Sequence, residues 1–318
     1  MRLSSASVNS SNDNKCQNPQ TVRFPTNAPG GFVEVDAFAK INLFLDVVGK
    51  RDYGYHEIES VMQRIELHDS LTITQAGSGV ELVCNDLTLP VDDSNLVMKA
   101  AKFFLREYKL SHPVRIELTK RVPMGAGLGG GSSDAAATLL GLNELFGLGV
   151  TVDKLAEMGT KLGADVPFCV LANSGVSAAI ATGIGEKLQP LHCTQNYSIV
   201  LACPNIHVST AEIFSMVKIQ LVGNSDQLKN FAAIYETGDA TKIAKNFYNF
   251  FTDITGSRHP LVLELIGALR NEGAMGAEMT GTGSTVFGVF ENAEQGHTAC
   301  MKLGEQYSNV QFLPTRTL

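Results

Sequence analysis

The sequence contains no run of lysines or arginines and no long uninterrupted apolar segment. Its formal net charge is −7, from 25 basic and 32 acidic side chains, so the basic surface typical of nucleic-acid-binding proteins is not predicted. Apolar stretches such as residues 135–142 end well short of the roughly 20 residues needed to cross a bilayer. We therefore expect no nucleic-acid partner and no membrane span.

Metal-binding and disulfide patterns are also missing. The six cysteines include no Cys-x-x-Cys pair and the seven histidines include no His-x-x-x-His pair, so neither a zinc site nor a disulfide framework is predicted. Unpaired thiols are typical of a reducing compartment. We expect a bacterial-type cytoplasm or a plastid stroma rather than secretion, and we assign no metal ligands from these patterns.

A length of 318 residues favours two domains. Residues 1–31 are rich in Ser, Asn and Pro and lack the apolar region of a secretory signal, which predicts a disordered extension, with an organelle transit segment as the alternative. Helix and strand patterns then mix without regular β-α-β alternation, and Gln189-Pro190 is a candidate boundary. We predict an α+β fold with domains at residues 32–190 and 191–318.

Hydrophobic periodicity predicts the order of the elements. Strands are expected at residues 33–35, 41–48, 58–67, 71–74, 113–120, 168–172, 175–181, 197–203, 285–290 and 309–313. Helices are expected from a cap at Ser94 to Leu110, from Ser132 or Ser133 to Phe146, from Thr151 to Gly163, and near 210–218, 226–236, 240–250 and 260–271.

A glycine-rich segment directly follows the strand expected at residues 113–120. Five of the seven positions from Gly125 to Gly131 are glycine, more than a simple turn needs, and each adds an entropic cost on folding. Successive residues without a Cβ allow backbone N–H groups to form an anion-binding nest, and the helix that follows directs the positive end of its dipole to the same place. The segment therefore predicts a polyphosphate site.

Three familiar phosphate-binding patterns fit this segment poorly. Gly125, Gly127 and Gly130 satisfy G-x-G-x-x-G, but the acidic residue at the distance expected for a dinucleotide site, Asp153, falls in the first turn of a predicted helix. A Walker loop requires Lys-Ser or Lys-Thr after the glycines, and a protein kinase requires H-R-D or D-F-G. The sequence has neither, so another class of phosphate site is indicated.

The segment P-M-G-A-G-L-G-G-G-S-S, residues 123–133, resembles the phosphate-binding motif of the GHMP kinases, a superfamily of small-molecule kinases. The resemblance extends from about residue 34 to the C-terminus. It is also carried by A-F-A-K-I-N-L-F-L (37–45), Y-G-Y-H-E-I (53–58), G-A-D-V-P-F (163–168) and M-T-G-T-G-S-T (279–285). It implies a ribosomal-protein-S5-like N-terminal domain, a ferredoxin-like C-terminal domain, and ATP and Mg²⁺ as cofactors.

These segments are most similar to the branch of the family that acts on a diphosphocytidyl sugar alcohol. The resemblance implies ATP-dependent phosphorylation of the 2-hydroxyl of diphosphocytidyl methylerythritol, in the non-mevalonate route to isoprenoid precursors. The alternatives are a GHMP kinase of the mevalonate or homoserine type and a non-catalytic sensor with the GHMP fold. The oligomeric state is not predicted.

The resemblance implies that Asp165 is the base that accepts the proton of the alcohol and that Lys40 is its partner. An ammonium near a carboxylate favours the ionised form and also offsets charge on a transferring phosphoryl group. Asn42 lies two residues from Lys40, so on a strand the two side chains share a face and can bind one substrate. The expected ATP-binding residues are Pro123, Gly125, Ala126, Gly127, Leu128, Gly129, Gly130, Gly131, Ser132 and Ser133.

Four further residues match the family's cytidine-recognition segments. Tyr55 and His56 are expected to stack on the base and to satisfy its polar edge. Thr210 is expected to supply a hydroxyl, and Phe214 a second ring, although packing in the core explains Phe214 equally well. The segment 281–285 is expected to support the glycine-rich segment.

Two positions depart from the family pattern. Tyr53 stands where Asp usually precedes Gly-Tyr-His, and Asp134 stands where Asn is common. A carboxylate in the first turn of a helix is favoured by the helix dipole, but beside a polyphosphate it is repelled. We therefore expect Asp134 to face outward or to contact Mg²⁺, with Ser133 as a weaker candidate ligand.

Overall fold

The computed structural model describes residues 22–23, 31–51, 55–192, 195–217 and 225–318. In these ranges the strands are β1 (Val22–Arg23), β2 (Phe32–Lys50), β3 (His56–Thr74), β4 (Val80–Cys84), β5 (Val114–Thr119), β6 (Ala178–Gly183), β7 (Lys187–Leu191), β8 (Ser198–Pro204), β9 (Tyr248–Asn249), β10 (Gly276–Met279), β11 (Val286–Phe290) and β12 (Val310–Arg316). The helices are α1 (Leu96–Glu107), α2 (Gly130–Leu145), α3 (Val152–Gly159), α4 (Val166–Asn173), α5 (Thr210–Ser215), α6 (Ser225–Glu236), α7 (Ala240–Lys245), α8 (Thr252–Arg258), α9 (Pro260–Asn271) and α10 (Ala293–Gln306).

The larger sheet is built around the long antiparallel pair of β2 and β3. Its order is β1-β2-β3-β5-β4, and β6, β7 and β9 join it through β3 and β2. The strands expected at 33–35 and 41–48 form one continuous strand, because the ladder to β3 continues through residues 36–40. It has register shifts between Phe38 and Lys40 and between Asn42 and Phe44. These irregularities flank Lys40 and Asn42, the two candidate site residues on β2.

One face of the larger sheet is covered by α1 to α4, with α2 packed against β2. The helix approaches the sheet closely because its inner face carries small residues. A Cβ added at Gly141 would lie 2.6 Å from Cδ1 of Ile73, and the side chains of residues 135–137 are buried alanines. This packing fixes the N-terminus of α2, where the glycine-rich segment ends.

The smaller sheet is antiparallel, with the order β10-β11-β8-β12. Helices α9 and α10 pack on it through buried side chains such as Leu265, Leu269 and Leu303. The two sheets with their segregated helices agree with the predicted α+β class. Strand β9 belongs to the second half of the chain but pairs with β2, so the halves are joined next to the site.

Two predicted elements are wrong. Residues 168–172, predicted as a strand, lie inside α4, because a short apolar run does not distinguish a buried strand from a buried helix. Pro167 in the first turn is a helix-start signal that favours the observed structure. The helix predicted for 240–250 ends at Lys245, and Tyr248 and Asn249 pair with β2 instead.

Helix starts also differ from prediction. The cap of α1 is Asn95, whose side chain accepts the N–H of Val97, and not Ser94. Helix α2 begins at Gly130, ahead of both predicted cap serines, with Gly129 in the left-handed region as its N-cap. The elements that were not predicted are β1, β4, β7, β9, β10, α8 and α10.

Several predictions lie outside the described ranges or are not tested by the fold. Tyr53 and most of residues 1–31 are not described, although Val22–Arg23 pair with β2. Gln189-Pro190 falls within β7, and the boundaries at 31/32 and 190/191 stay predictions. Among the helices of the described ranges, none is both long and apolar enough to span a bilayer.

Candidate active site

A cavity of about 750 Å³ lies where the two sheets meet the glycine-rich segment. Its walls come from the middle of β2, the N-termini of α2 and α4, the connection from β8 to α5, and the turn between β10 and β11. Of the predicted site residues, those that line it are Lys40, Asn42, Pro123, Gly125, Ala126, Gly127, Leu128, Gly129, Gly130, Gly131, Ser132, Asp165, Thr210 and Phe214. The structure thus brings most of the predicted residues into one cavity.

The glycine-rich segment requires glycine for two structural reasons. Gly125, Gly127 and Gly129 have φ values of 61°, 79° and 70°, a region that strains other residues. A Cβ at Gly127 would also lie 2.3 Å from the backbone oxygen of Thr280. No side chain caps the first turn of α2, so its N–H groups are left for an anion, as in other helix N-terminal phosphate sites.

Lys40, Asn42 and Asp165 form the polar centre of the cavity. The Lys40 ammonium donates to Oδ1 of Asn42 at 2.8 Å and to the backbone oxygen of Gly127 at 3.1 Å. It lies 3.5 Å from Oδ2 of Asp165. Asp165 precedes α4, but its side chain makes no capping hydrogen bond, and it is 32% exposed while that of Lys40 is 4% exposed. A buried cation thus holds a carboxylate that faces the cavity.

The turn after β10 holds this centre in place. The N–H of Asn42 donates to Oγ1 of Thr280 at 3.0 Å, and the Thr280 hydroxyl lies 3.2 Å from the backbone oxygen of Gly127. The side-chain amide of Asn249 in β9 donates to the backbone oxygens of Met279 and Gly281. These contacts, which include Thr280 next to the 281–285 segment, agree with the expected role of that segment in supporting the glycine-rich segment. The role of Asn249 in holding this turn was not predicted, because nothing in its local sequence indicates it.

The predicted cytidine-recognition residues are only partly assembled. The rings of His56 and Phe214 are 5.3 Å apart, and the hydroxyl of Thr210 lies 3.1 Å from that of Thr282. His56 is buried, and its Nε2 has no hydrogen-bond partner within the described part of the chain. Burial lowers the pKa of His56, and the nearby Lys50 adds to the effect. Tyr55 is 63% exposed and does not line the cavity.

Ser133 is placed differently from the other residues of its motif. Its side chain is fully buried, and Oγ lies 3.3 Å from both amide atoms of Asn173 on α4. The hydroxyl thus links α2 to α4 and is already hydrogen-bonded. A role of Ser133 in binding ATP or a metal stays a prediction, and this arrangement does not favour it.

Asp134 does not face outward, so that part of the prediction is wrong. Its side chain is 4% exposed, and Oδ2 accepts from the ammonium of Lys120 at 2.9 Å. Lys120 also pairs with Asp69, whose Oδ1 accepts the backbone N–H groups of Arg121 and Val122. We call Asp69, Lys120 and Asp134 the ion cluster.

The ion cluster lies directly beneath the glycine-rich segment. A Cβ added at Gly130 would be 3.3 Å from the Lys120 ammonium. Burial raises the pKa of Asp134, and the attraction of Lys120 offsets this only in part. The same pairing raises the pKa of Lys120 despite its burial. The cluster thus places the Lys120 ammonium near the anion site, and the Asp69 and Asp134 carboxylates offset its charge.

This fold and cavity define a small-molecule kinase class. The sequence matches the family models for the GHMP kinase N-terminal domain over residues 95–173 and the GHMP kinase C-terminal domain over residues 228–309. The chain belongs to the GHMP kinase family, and its predicted two-domain α+β fold is confirmed.

Relatives within this family carry a more particular name. The chain is 38% identical over 282 residues to the 4-diphosphocytidyl-2-C-methyl-D-erythritol kinase of Clostridium novyi, covering 89% of this chain and 99% of that protein. It is 40% identical over 264 residues to the Bacillus cytotoxicus protein of the same name, covering 83% and 90% of the two chains.

Solved structures agree with this placement. A crystal structure of a 4-(cytidine 5'-diphospho)-2C-methyl-D-erythritol kinase superposes with a TM-score of 0.76 at 31% identity, covering 90% of this chain and 99% of that one. The homoserine kinase of Cytophaga hutchinsonii superposes with a TM-score of 0.70 at 17% identity, covering 93% and 97%. The second match shows the shared fold alone.

Proposed function

We propose that the protein transfers the γ-phosphate of ATP to the 2-hydroxyl of 4-diphosphocytidyl-2-C-methyl-D-erythritol. The observation that carries the proposal is the Lys40–Asp165 pair, 3.5 Å apart on the wall of the cavity beside the N-terminus of α2. The names of the relatives supply the acceptor. An alcohol and a triphosphate are the two ligands that this arrangement suits.

Asp165 acts as the general base. An alcohol attacks a phosphoryl group effectively only when its proton is accepted, and a positioned carboxylate provides this. Lys40 orients the carboxylate through its 3.5 Å contact and carries positive charge next to the transferring group. Asn42 fixes the ammonium of Lys40 and is itself held through Ser60 and Thr280. Strand β2 therefore positions Lys40 directly and the Asp165 carboxylate through its contact with Lys40.

ATP binds along the glycine-rich segment and α2. The uncapped N–H groups at the start of α2 bind the phosphates. The cavity continues past Gly131 to Leu89, Pro90 and Leu96, an apolar wall suited to the adenine ring. The triphosphate would thus extend from this wall toward Asp165.

Mg²⁺ is proposed as the companion of ATP, where it would neutralise phosphate charge. The described residues contain no cluster of three or more His, Cys, Asp or Glu side chains that could hold a metal. The hydroxyl of Ser133 is hydrogen-bonded to Asn173, and Oδ2 of Asp134 accepts from Lys120. Oδ1 of Asp134 is buried and has no hydrogen-bond partner in the described part of the chain. Phosphate oxygens and water would be its main ligands, because Mg²⁺ usually keeps much of its water and binds few protein groups.

Cytosine recognition rests on His56 and Phe214. The buried Nε2 of His56 lacks a partner in the described structure, and such a group costs free energy unless a ligand satisfies it. A cytosine edge offers both donors and acceptors for this nitrogen. Phe214 lines the cavity next to the His56 ring and provides a surface for stacking.

The function is tested by incubating the protein with ATP, Mg²⁺ and the diphosphocytidyl alcohol, and identifying the product by mass. We expect one added phosphate and stoichiometric ADP. Asp165→Asn should reduce kcat by about 10²- to 10⁴-fold, the usual contribution of a general base, while ATP still binds.

The rival functions give different results. A kinase of the mevalonate or homoserine type would phosphorylate its own plain alcohol and leave the cytidine-bearing one unchanged. A sensor would bind both ligands without releasing ADP. Near wild-type turnover in Asp165→Asn would refute the assignment of the base.

A further inference from the structure

His207 is a cavity residue that the proposed chemistry does not use. It lies on the connection between β8 and α5, three residues before Thr210, and its exposed side chain lines the cavity. Its ring contacts the first glycine of the glycine-rich segment: a Cβ added at Gly125 would lie 3.2 Å from Nδ1 of His207. The imidazole therefore borders the anion-binding backbone directly.

The charges around the cavity make this histidine distinctive. Among the described residues that line it, the basic side chains are Lys40, Lys120 and His207. Lys40 is bound by Asn42, Gly127 and Asp165, and Lys120 lies in the ion cluster. The described structure gives the His207 ring no hydrogen-bond or ion-pair partner. Of these three side chains, it is the one without a protein partner among the described residues.

The position of His207 indicates which of the two phosphate-bearing ligands, ATP or the diphosphocytidyl alcohol, it contacts. The triphosphate belongs at the far end of the segment, where α2 begins and Leu96 lies 3.8 Å from a Cβ added at Gly131. His207 lies at the opposite end, on the connection that also carries Thr210 and leads to Phe214. A diphosphate between cytosine at Phe214 and an alcohol at Asp165 must cross the cavity on this side.

We propose that the His207 imidazole donates a hydrogen bond to the diphosphate of the acceptor substrate, which makes it a specificity-determining residue. This inference rests on the proposed function. The histidine favours acceptors that carry a diphosphate over alcohols without one, because only the diphosphate places an anionic oxygen beside Gly125. ATP recognition does not involve it.

The test measures binding of CDP, cytidine and ATP by calorimetry, with wild type, His207→Ala and His207→Gln. CDP carries the diphosphate without the reacting alcohol, and cytidine carries only the nucleoside. Loss of a hydrogen bond to a charged group predicts about tenfold weaker CDP binding in His207→Ala. Cytidine and ATP should bind as in wild type, and His207→Gln, which keeps a donor, should recover part of the loss. In turnover, KM for the acceptor should rise while kcat stays unchanged.

His297→Ala is the matched control, because His297 is an exposed histidine on α10 away from the cavity. Equal weakening of CDP and cytidine by His207→Ala, or weaker ATP binding with normal CDP binding, would overturn the inference. A wild-type protein that binds ATP but neither CDP nor cytidine would instead refute the proposed function, and the inference with it. Normal CDP binding in His207→Ala would remove the inference and leave the function intact.

Discussion

Replacing Lys120 with methionine tests how strongly the ion cluster stabilises the protein. The side chains of Lys120, Asp69 and Asp134 are 6%, 0% and 4% exposed. Methionine nearly preserves the volume but removes the charge, which leaves two carboxylates facing one another away from water. Breaking a buried ion pair from one side typically costs about 3–5 kcal/mol. We expect Lys120→Met to lose free energy of unfolding in this range.

Urea unfolding followed by circular dichroism measures this loss. Because a two-domain chain can unfold in more than one step, the first transition is the one compared. Asp134→Asn is the companion variant, since its amide oxygen still accepts from Lys120. The double variant should be more stable than Lys120→Met alone, because a single buried carboxylate, Asp69, then lacks a cation.

Two outcomes would refute this reasoning. A loss below about 1 kcal/mol in Lys120→Met would place the pair in the range of exposed salt bridges. A double variant no more stable than Lys120→Met would show that repulsion between the carboxylates contributes nothing. In either case the cluster would not be what fixes residues 120–122 beneath the glycine-rich segment.

Two further predictions concern the same region. Gly127→Ala should raise KM for ATP by at least tenfold, roughly the effect of losing one well-placed hydrogen bond to a charged group, because the added Cβ would lie 2.3 Å from the Thr280 oxygen at a φ of 79°. Gly267→Ala on α9, where nothing lies within 4 Å of the added Cβ, should bind ATP normally; equal KM values for the two variants would contradict the packing argument. Asp134→Asn should flatten the pH dependence of stability. Burial raises the pKa of Asp134 above 3.8, so its stabilising contribution is complete below pH 3.8 and is lost as the pH rises through the folded-state value. An identical pH slope of the unfolding free energy in both proteins would contradict this, and an unchanged Mg²⁺ dependence of turnover would exclude Asp134 as a metal ligand.

The predictable parts of the site are those encoded over short distances. The period of a strand placed Lys40 and Asn42 on one face, and the observed 2.8 Å hydrogen bond between them confirms that geometry. The clustering of glycines indicated an anion-binding turn before any fold was considered. The catalytic and binding roles were implied by the family resemblance, and they stay proposals.

The unpredicted parts depend on contacts between distant positions. Asp69 lies 51 residues from Lys120, and neither local sequence indicates the pairing. A carboxylate at a helix start has several uses, so the outward orientation expected for Asp134 failed once a buried lysine beneath the helix supplied a partner. Likewise α4 was mistaken for a strand because burial on all sides removes the polar face that would reveal a helical period.

The hydrogen bond between Asn42 and Thr280 joins positions 238 residues apart, and this has a consequence for how the enzyme matures. During synthesis the glycine-rich segment leaves the ribosome long before Thr280 exists. A nascent or proteolytically shortened chain can therefore carry every motif proposed to bind ATP and still lack the turn that contacts Asn42 and Gly127. The turn that contacts Asn42 and Gly127 is thus synthesised after the motifs that it supports.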